Sequence, residues 1–203
     1  LLRPEMYPHA AAEVQLVQTH ISFVLIAGDF VYKFKKPVDF GFLDFSDLAK
    51  REYCCEQELL LNRRLCPEIY LEVITLNKEG DSFALNGSGE VVEYGVKMAR
   101  MPEEGMMGEL IKAGELGHEQ IDAVVARLIP FYQQAERNPE IDSFGKADKV
   151  SVNVLENFEQ TQGFIGQGAL TQEQFDRISA WSKNFLAQEE LFQQRIGQVS
   201  QVI

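Results

Sequence analysis

The alternation of apolar and polar residues divides the chain into a strand-rich first half and a helical second half. In the first hundred residues, short runs rich in β-branched and aromatic residues, each closed by a turn signal, predict strands. The six predicted strands are Val14–Gln18, Ser22–Ile26, Phe30–Lys35, Tyr70–Leu76, Ser82–Leu85 and Val91–Arg100. Tight connections join the first three, which predicts an antiparallel three-stranded meander.

One helix interrupts this series of strands, after a loop rich in aromatic residues. Ser46 is a plausible N-cap, and the apolar pattern that follows predicts a helix to about Leu65, closed by Pro67. The predicted order is therefore β-β-β-α-β-β-β.

The second half of the chain has helical periodicity and no convincing strand. The predicted helices are Met106–Ala113, Glu119–Glu136, Val150–Phe164 and one that starts after Thr171, and Asn138–Lys149 is predicted to be a connection. Thr171 and Gln174 have the spacing of a capping box, and the apolar stripe behind them continues to Phe192. We expect an α+β fold with an N-terminal lobe at residues 1–101 and a helical lobe at residues 102–203.

Composition narrows the possible partners and the location. The 203 residues carry 19 lysines and arginines against 31 aspartates and glutamates, a net charge of −12. A nucleic-acid partner normally requires a basic face, so we expect no such partner. No apolar run approaches the length that spans a membrane, so we expect no membrane association. The three cysteines match neither a metal site nor a disulfide framework, which favours a cytoplasmic protein with reduced thiols.

The candidate chemistry is a lysine on the third strand and a glutamate on the following helix. The two-residue period of a strand puts Lys33 and Lys35 on one face. Glu58 shares a helix face with Leu61 and Leu65, and a carboxylate there is costly unless a cation meets it. Lys33 is the candidate cation. Taken alone, the lysines and glutamates also fit a set of side chains that are simply solvated.

Several segments together resemble a known family. They are Thr19–Leu25, Val31–Phe45, Cys55–Leu71 and Glu93–Met98. These segments are similar to bacterial proteins related to the aminoglycoside phosphotransferases, which have a protein-kinase-like bilobal fold. Some members are fused to a C-terminal P-loop ATP-binding domain. The resemblance is strong to about Leu116 and weak thereafter. It implies an antiparallel N-lobe of five to six strands with one helix, followed by a helical C-lobe that is incomplete here.

The resemblance also implies roles for particular residues in binding ATP. Lys33 would contact the nucleotide phosphates and Glu58 would be its partner on the helix, with Lys35 and Glu56 as the alternatives. The turn that contains Thr19, His20 and Ser22 would lie over the phosphates. The backbone of Ala99, Arg100 and Met101 would meet the adenine edge.

The chain departs from this family in one respect. Kinase-like enzymes carry a His-Gly-Asp catalytic loop, a downstream asparagine and a metal-binding aspartate, and no His-Gly-Asp occurs in the sequence. We therefore assign no catalytic residue and no metal ligand to these residues. The expectation is that the native protein continues beyond Ile203 with the catalytic loop and the ligands for Mg²⁺. It would then phosphorylate an undefined small-molecule hydroxyl compound. The alternative functions are a non-catalytic, kinase-like binding or regulatory module, and an α+β domain that binds no nucleotide.

Overall fold

The computed structural model describes residues 1–198, which fall into two compact units that divide after Ile121. The first unit contains all the described strands, the last of which ends at Ala99. Every described element from Met107 onward is a helix. No helix among the described residues combines the length and apolar character needed to cross a membrane.

The first unit is built on one antiparallel sheet of six strands. The strands are β1 (Val14–Gln18), β2 (Ser22–Ala27), β3 (Phe30–Lys35), β4 (Tyr70–Glu79), β5 (Ser82–Leu85) and β6 (Glu90–Ala99). Their order across the sheet is β1-β2-β3-β6-β4-β5, and every neighbouring pair is antiparallel. The predicted α+β class, the three-stranded meander and the β-β-β-α-β-β-β order are confirmed.

Helix α1 (Leu48–Asn62) is the element inserted between β3 and β4. Its N-cap is Asp47 and not the predicted Ser46. The Asp47 carboxylate accepts a hydrogen bond from the Lys50 amide at 2.9 Å, whereas the Ser46 hydroxyl donates to Asp44. Both residue types can cap a helix, so the sequence alone does not choose between them.

Helix α1 also ends earlier than the predicted Leu65. The amides of Leu65 and Cys66 both donate to the carbonyl of Asn62, which closes a turn in place of another helical turn. This turn reverses the chain and leads it into β4 at Tyr70.

The two faces of the sheet are covered by different parts of the same unit. On the face opposite Lys33, the segment before β1 packs over a buried cluster formed by Tyr7, Leu25, Ala27, Tyr32, Phe34 and Ile74. Gly95 of β6 pairs with Phe34 of β3 on this face, and a Cβ atom at Gly95 would lie only 2.8 Å from the Phe34 ring. The other face bears Val96, which is fully buried, and it receives α1.

Six α-helices follow the sheet among the described residues. They are α2 (Met107–Ala113), α3 (His118–Gln134), α4 (Pro139–Ser143), α5 (Ala147–Gln162), α6 (Gln172–Leu186) and α7 (Glu189–Gln198). The predicted capping box is confirmed, because the Thr171 hydroxyl accepts from the Gln174 amide while the Gln174 side chain accepts from the Thr171 amide.

Two predictions about the helical half are wrong in detail. The predicted connection at 138–149 contains α4, because Asn138 caps the Ile141 amide at 2.9 Å and Pro139 suits the first helical position. The apolar stripe that reaches Phe192 belongs to two helices, since the chain turns at Ala187 and Gln188. The helical spacing of apolar residues continues through that turn, so the sequence pattern does not mark the end of α6.

Candidate functional site

The Glu58 carboxylate lies between two lysine ammonium groups. Lys33 Nζ is 2.8 Å from Glu58 Oε1, and Lys35 Nζ is 2.6 Å from Glu58 Oε2. The predicted contact between Lys33 and Glu58 is therefore present, and Lys35 joins it as a third member. Glu56, the alternative carboxylate, is exposed and forms no ion pair with either lysine.

Strand and helix geometry together bring these three side chains to one place. Lys33 and Lys35 are two residues apart on β3 and point to the same face of the sheet. On α1, Glu58 follows Arg51 and Cys55 at helical spacing, and both of those residues are buried. The expectation that Glu58 shares a core-facing stripe with Leu61 is wrong, since Leu61 is 44% exposed. Glu58 instead belongs to a stripe that includes a buried arginine.

The two lysines differ in their access to solvent. The Lys35 side chain is 6% exposed, and its ammonium group also lies 5.0 Å from the centre of the buried Phe45 ring. The Lys33 side chain is 30% exposed. Lys33 is therefore the member of the pair that can meet a ligand from solvent.

The electrostatics favour a charged carboxylate at Glu58. Burial by itself raises the pKa of this carboxyl, but the hydrogen bonds from Lys33 and Lys35 outweigh burial, so the pKa is lowered from its ordinary value. The neighbouring Cys55 has the opposite balance, since burial raises the pKa of its thiol to about 11. Near neutral pH the Glu58 carboxyl is therefore charged and the neighbouring Cys55 thiol is neutral.

A second ion pair fixes α1 against the sheet, and we did not predict it. Arg51 Nε donates to Glu93 Oε1 at 2.7 Å, and Arg51 Nη1 donates to the Phe45 carbonyl at 2.9 Å. The pair joins α1 to β6 and to the loop that precedes α1. No local pattern in the sequence marks this pair, because Arg51 and Glu93 lie 42 residues apart in the chain.

The turn between β1 and β2 is held by its own side chains and by Lys36. The Thr19 hydroxyl accepts from the Ser22 amide at 2.9 Å, and Lys36 Nζ donates to the Thr19 carbonyl at 2.7 Å. His20 is exposed at the turn. Ser22 is buried opposite Lys35 in the sheet, and its hydroxyl has no hydrogen-bond partner among the described residues.

At the end of β6, the backbone amides of two successive residues already donate hydrogen bonds to backbone carbonyls. The Ala99 amide donates to the Ile69 carbonyl and the Arg100 amide to the Asp29 carbonyl, both at 2.8 Å. The Met101 amide donates to no backbone carbonyl of residues 1–198, and Met101 is half exposed. A cavity of about 400 Å³ beside this segment is lined by Gly28, Asp29, Arg100, Pro102, Glu103 and Glu104.

The described residues offer no metal centre of their own. Across residues 1–198, no group of three or more histidine, cysteine, aspartate or glutamate side chains is arranged to hold a metal ion. The three cysteines are free thiols. The Lys33 ammonium group, held by Glu58 and partly exposed, has a charge and a position that suit an anion.

Comparison with known proteins finds similarity to three mycobacterial sequences. The chain is 33% identical over 144 residues to an uncharacterized protein of Mycobacterium bovis and to uncharacterized proteins of two Mycobacterium tuberculosis strains, CDC 1551 and H37Rv. The matched region covers 71% of this chain and 27% of each relative. The chain thus spans about a quarter of the length of the curated relatives it matches. No protein-family model and no solved structure matches it.

Proposed function

We propose that the first unit is the nucleotide-binding lobe of a protein-kinase-like phosphotransferase related to the aminoglycoside phosphotransferases. The observation that carries this proposal is the ion pair between Lys33 of β3 and Glu58 of α1. A lysine on the third strand, paired with a glutamate of the next helix, is the arrangement by which kinases hold nucleotide phosphates. The antiparallel sheet with one inserted helix supports the same assignment.

Lys33 is the residue that we assign to the phosphates. Its ammonium group is fixed by Glu58 at 2.8 Å and its side chain is 30% exposed. An ammonium group held in this way meets an anionic oxygen at low entropic cost, because its position is set before the ligand arrives. Lys35 is too deeply buried for this role.

The remaining backbone donor suits the nucleotide base. The amides of Ala99 and Arg100 are already paired, which leaves the Met101 amide to donate to the adenine edge. The turn from Thr19 to Ser22 lies at the Lys35 end of β2 and β3, where the register sets Ser22 opposite Lys35. We assign its backbone and the exposed His20 to the phosphate side of the nucleotide.

Phosphoryl transfer by a kinase-like enzyme uses a catalytic loop, and the His-Gly-Asp form of that loop does not occur in this sequence. ATP would provide the phosphoryl group, and a small-molecule hydroxyl compound would accept it. No group of three or more histidine, cysteine, aspartate or glutamate side chains in residues 1–198 is arranged to hold a metal ion, and the proposal assigns no Mg²⁺ ligand and no general base to these residues. Catalysis by the intact protein, in the cytoplasm where free thiols persist, is part of the proposal.

A second candidate function is a nucleotide-binding module without turnover. It rests on the same ion pair of Lys33 and Glu58 and requires no catalytic loop. The two functions differ in the fate of the γ-phosphate. In the intact protein, binding of ATP without loss of its γ-phosphate to water or to a panel of hydroxyl compounds would support the module.

Calorimetric titration of the intact protein with Mg²⁺-ATP tests nucleotide binding. Lys33→Met should weaken binding by about tenfold to a hundredfold, the size expected for a hydrogen bond to a charged group. The substitution leaves Glu58 paired with Lys35, so the fold is retained. Lys112→Met is the matched control, because Lys112 is 73% exposed on α2 and should leave the affinity unchanged. Equal affinities of wild type and Lys33→Met would contradict the proposal.

A further inference from the structure

The Glu58 carboxylate has one charge and two cationic partners. We propose that Lys35 is a positioning residue that neutralises Glu58, so that Lys33 presents an uncompensated positive charge to the anionic ligand. This inference rests on the function proposed above and deepens it, since it says how the phosphate-binding ammonium group keeps its charge.

The geometry assigns different tasks to the two lysines. Lys35 makes the shorter contact with Glu58, at 2.6 Å against 2.8 Å for Lys33, and its side chain is 6% exposed. The centre of the Phe45 ring lies 5.0 Å from the Lys35 ammonium group, and the ring shields that group further from solvent. A buried ammonium group with one carboxylate partner stays with that partner, because the unpaired charge would be costly there.

Counting the charges around the cluster leaves an excess of one positive charge. Glu58 contributes one negative charge, and Lys33 and Lys35 contribute two positive charges. Arg51 and Glu93 lie next to the cluster as a pair and cancel each other. Since Lys35 has no free access to solvent, the excess charge is presented at Lys33.

This excess changes what a ligand encounters. With a single lysine, a phosphate would compete with Glu58 for one ammonium group. Here Lys35 holds the second carboxylate oxygen whether or not a ligand is present, so Lys33 can bind a phosphate oxygen while Glu58 remains neutralised. The ligand class is a polyanion such as the triphosphate of ATP, and the site attracts it without a divalent cation.

The test is a series of variants that differ in the charge of the cluster. The wild-type cluster carries +1, Lys35→Met carries 0, Glu58→Gln carries +2, and the double variant Lys35→Met/Glu58→Gln returns to +1. The affinity of the intact protein for ATP without metal, and for inorganic triphosphate, is measured by calorimetry at low ionic strength, where screening is weak.

Lys35→Met should weaken binding of both probes on the order of tenfold, because one nearby charge is lost. The double variant should return to within about threefold of wild type, because its cluster regains the excess positive charge and the amide oxygen at position 58 can still accept a hydrogen bond from Lys33. Lys97→Met is the control, since Lys97 pairs with Glu72 elsewhere on the sheet and its loss should leave the affinity unchanged. If Lys35→Met does not fold, the comparison of Glu58→Gln with the double variant still measures the loss of the Lys35 charge.

The outcomes separate this inference from the function on which it rests. If Lys33→Met weakens binding and Lys35→Met does not, the role of Lys35 is overturned and the proposed function stands. If Lys35→Met weakens binding and the double variant does not recover, Lys35 acts only through packing and the inference fails. If Lys33→Met has no effect, both proposals fail.

Discussion

The two units of the chain differ in how many buried apolar residues they contain. In the first unit, the segment before β1 covers one face of the sheet and α1 covers the other. Nine of the ten buried hydrophobic residues described belong to this unit, and Phe192 is the tenth. Both units leave large apolar side chains exposed, such as Phe42 at 68% in the first unit and Trp181 at 66% in the second. Both units have clear periodicity, so periodicity identifies an apolar face without saying what covers it.

The closed core of the first unit is also what allows a buried charge there. Lys35 can be 6% exposed because Glu58, Phe45 and the ion pair of Arg51 surround it with fixed partners. The second unit offers no comparable set among its described residues. The candidate site therefore lies in the unit that contains nearly all of the buried residues described.

The largest expected effect contrasts a buried isoleucine with an exposed one. Ile74→Ala should lower the free energy of unfolding of the first unit by about 3 kcal/mol, because Ile74 is 2% exposed and its loss leaves a cavity. Ile178→Ala on α6 should cost less than about 1 kcal/mol, since Ile178 is 53% exposed. Urea unfolding measures both.

Trp181 makes this contrast measurable unit by unit. It is the one tryptophan of the chain and lies on α6, so its fluorescence reports on the helical unit, whereas far-ultraviolet circular dichroism reports on both units. We expect the fluorescence transition at the lower urea concentration. Coincident transitions, shifted equally by the two substitutions, would show that the units unfold together and would contradict a difference in their stabilities.

A smaller effect is expected from adding one carbon atom to the sheet. Gly95→Ala should cost about 2 kcal/mol, because the new Cβ would lie 2.8 Å from the Phe34 ring and 3.0 Å from the Lys33 carbonyl oxygen. Gly108→Ala is the control, since nothing lies within 4 Å of its Cβ position in α2. Thermal unfolding should show a lower Tm for the first variant only. Equal Tm values would contradict this expectation and would mean that the sheet accommodates the added methyl group without a loss of stability.

Removing the helix cap at Thr171 should act on the helical unit alone. Thr171→Ala should cost about 1 kcal/mol, since the hydroxyl that accepts from the Gln174 amide is lost. Thr171→Ser keeps the hydroxyl and serves as the control. The fluorescence transition of Trp181 should shift to lower urea for the alanine variant, whereas the circular dichroism transition at higher urea, which we assign to the first unit, should not move. A shift of that second transition would contradict independent unfolding of the two units.

Acid should weaken the first unit through Glu58. Because the pKa of Glu58 is lowered in the folded chain, its contribution to stability is complete above the ordinary value of 4.5 and is lost as the pH falls through the folded pKa. Glu58→Gln should flatten this part of the dependence of unfolding free energy on pH. Urea unfolding between pH 6 and about pH 3 provides the comparison, and an identical slope in the two proteins would contradict the assignment.

The sequence predicted the part of the site that depends on local periodicity. The two-residue period of β3 placed Lys33 and Lys35 on one face, whereas the choice between Glu56 and Glu58 stayed open in the sequence. The leucine stripe that favoured Glu58 is exposed at Leu61. The sharing of Glu58 by both lysines was not predictable, because it depends on the distance at which α1 packs on the sheet. The pair of Arg51 and Glu93 joins elements that are far apart in the chain, so no local pattern marks it.

The boundaries that were wrong have a common physical cause. Ser46 and Asp47 are both good caps, and the choice depends on the side chain of Asp44. The stripe from Phe175 to Phe192 continues through a turn, because apolar spacing is the same on both sides of it. In each case two local solutions are close in energy, and a contact outside the pattern decides between them.

The most direct test of the central claim is chemical labelling of Lys33 by an acyl-phosphate derivative of ATP. Such a reagent transfers its acyl group to a lysine amine that lies beside the bound phosphates and releases ATP. In the intact protein, we predict that peptide mass spectrometry finds the label on Lys33 and that excess ATP suppresses it. The exposed Lys112 should react weakly and without competition. Labelling of Lys112 as strong as that of Lys33, or labelling of Lys33 that excess ATP leaves unchanged, would contradict a nucleotide site at Lys33.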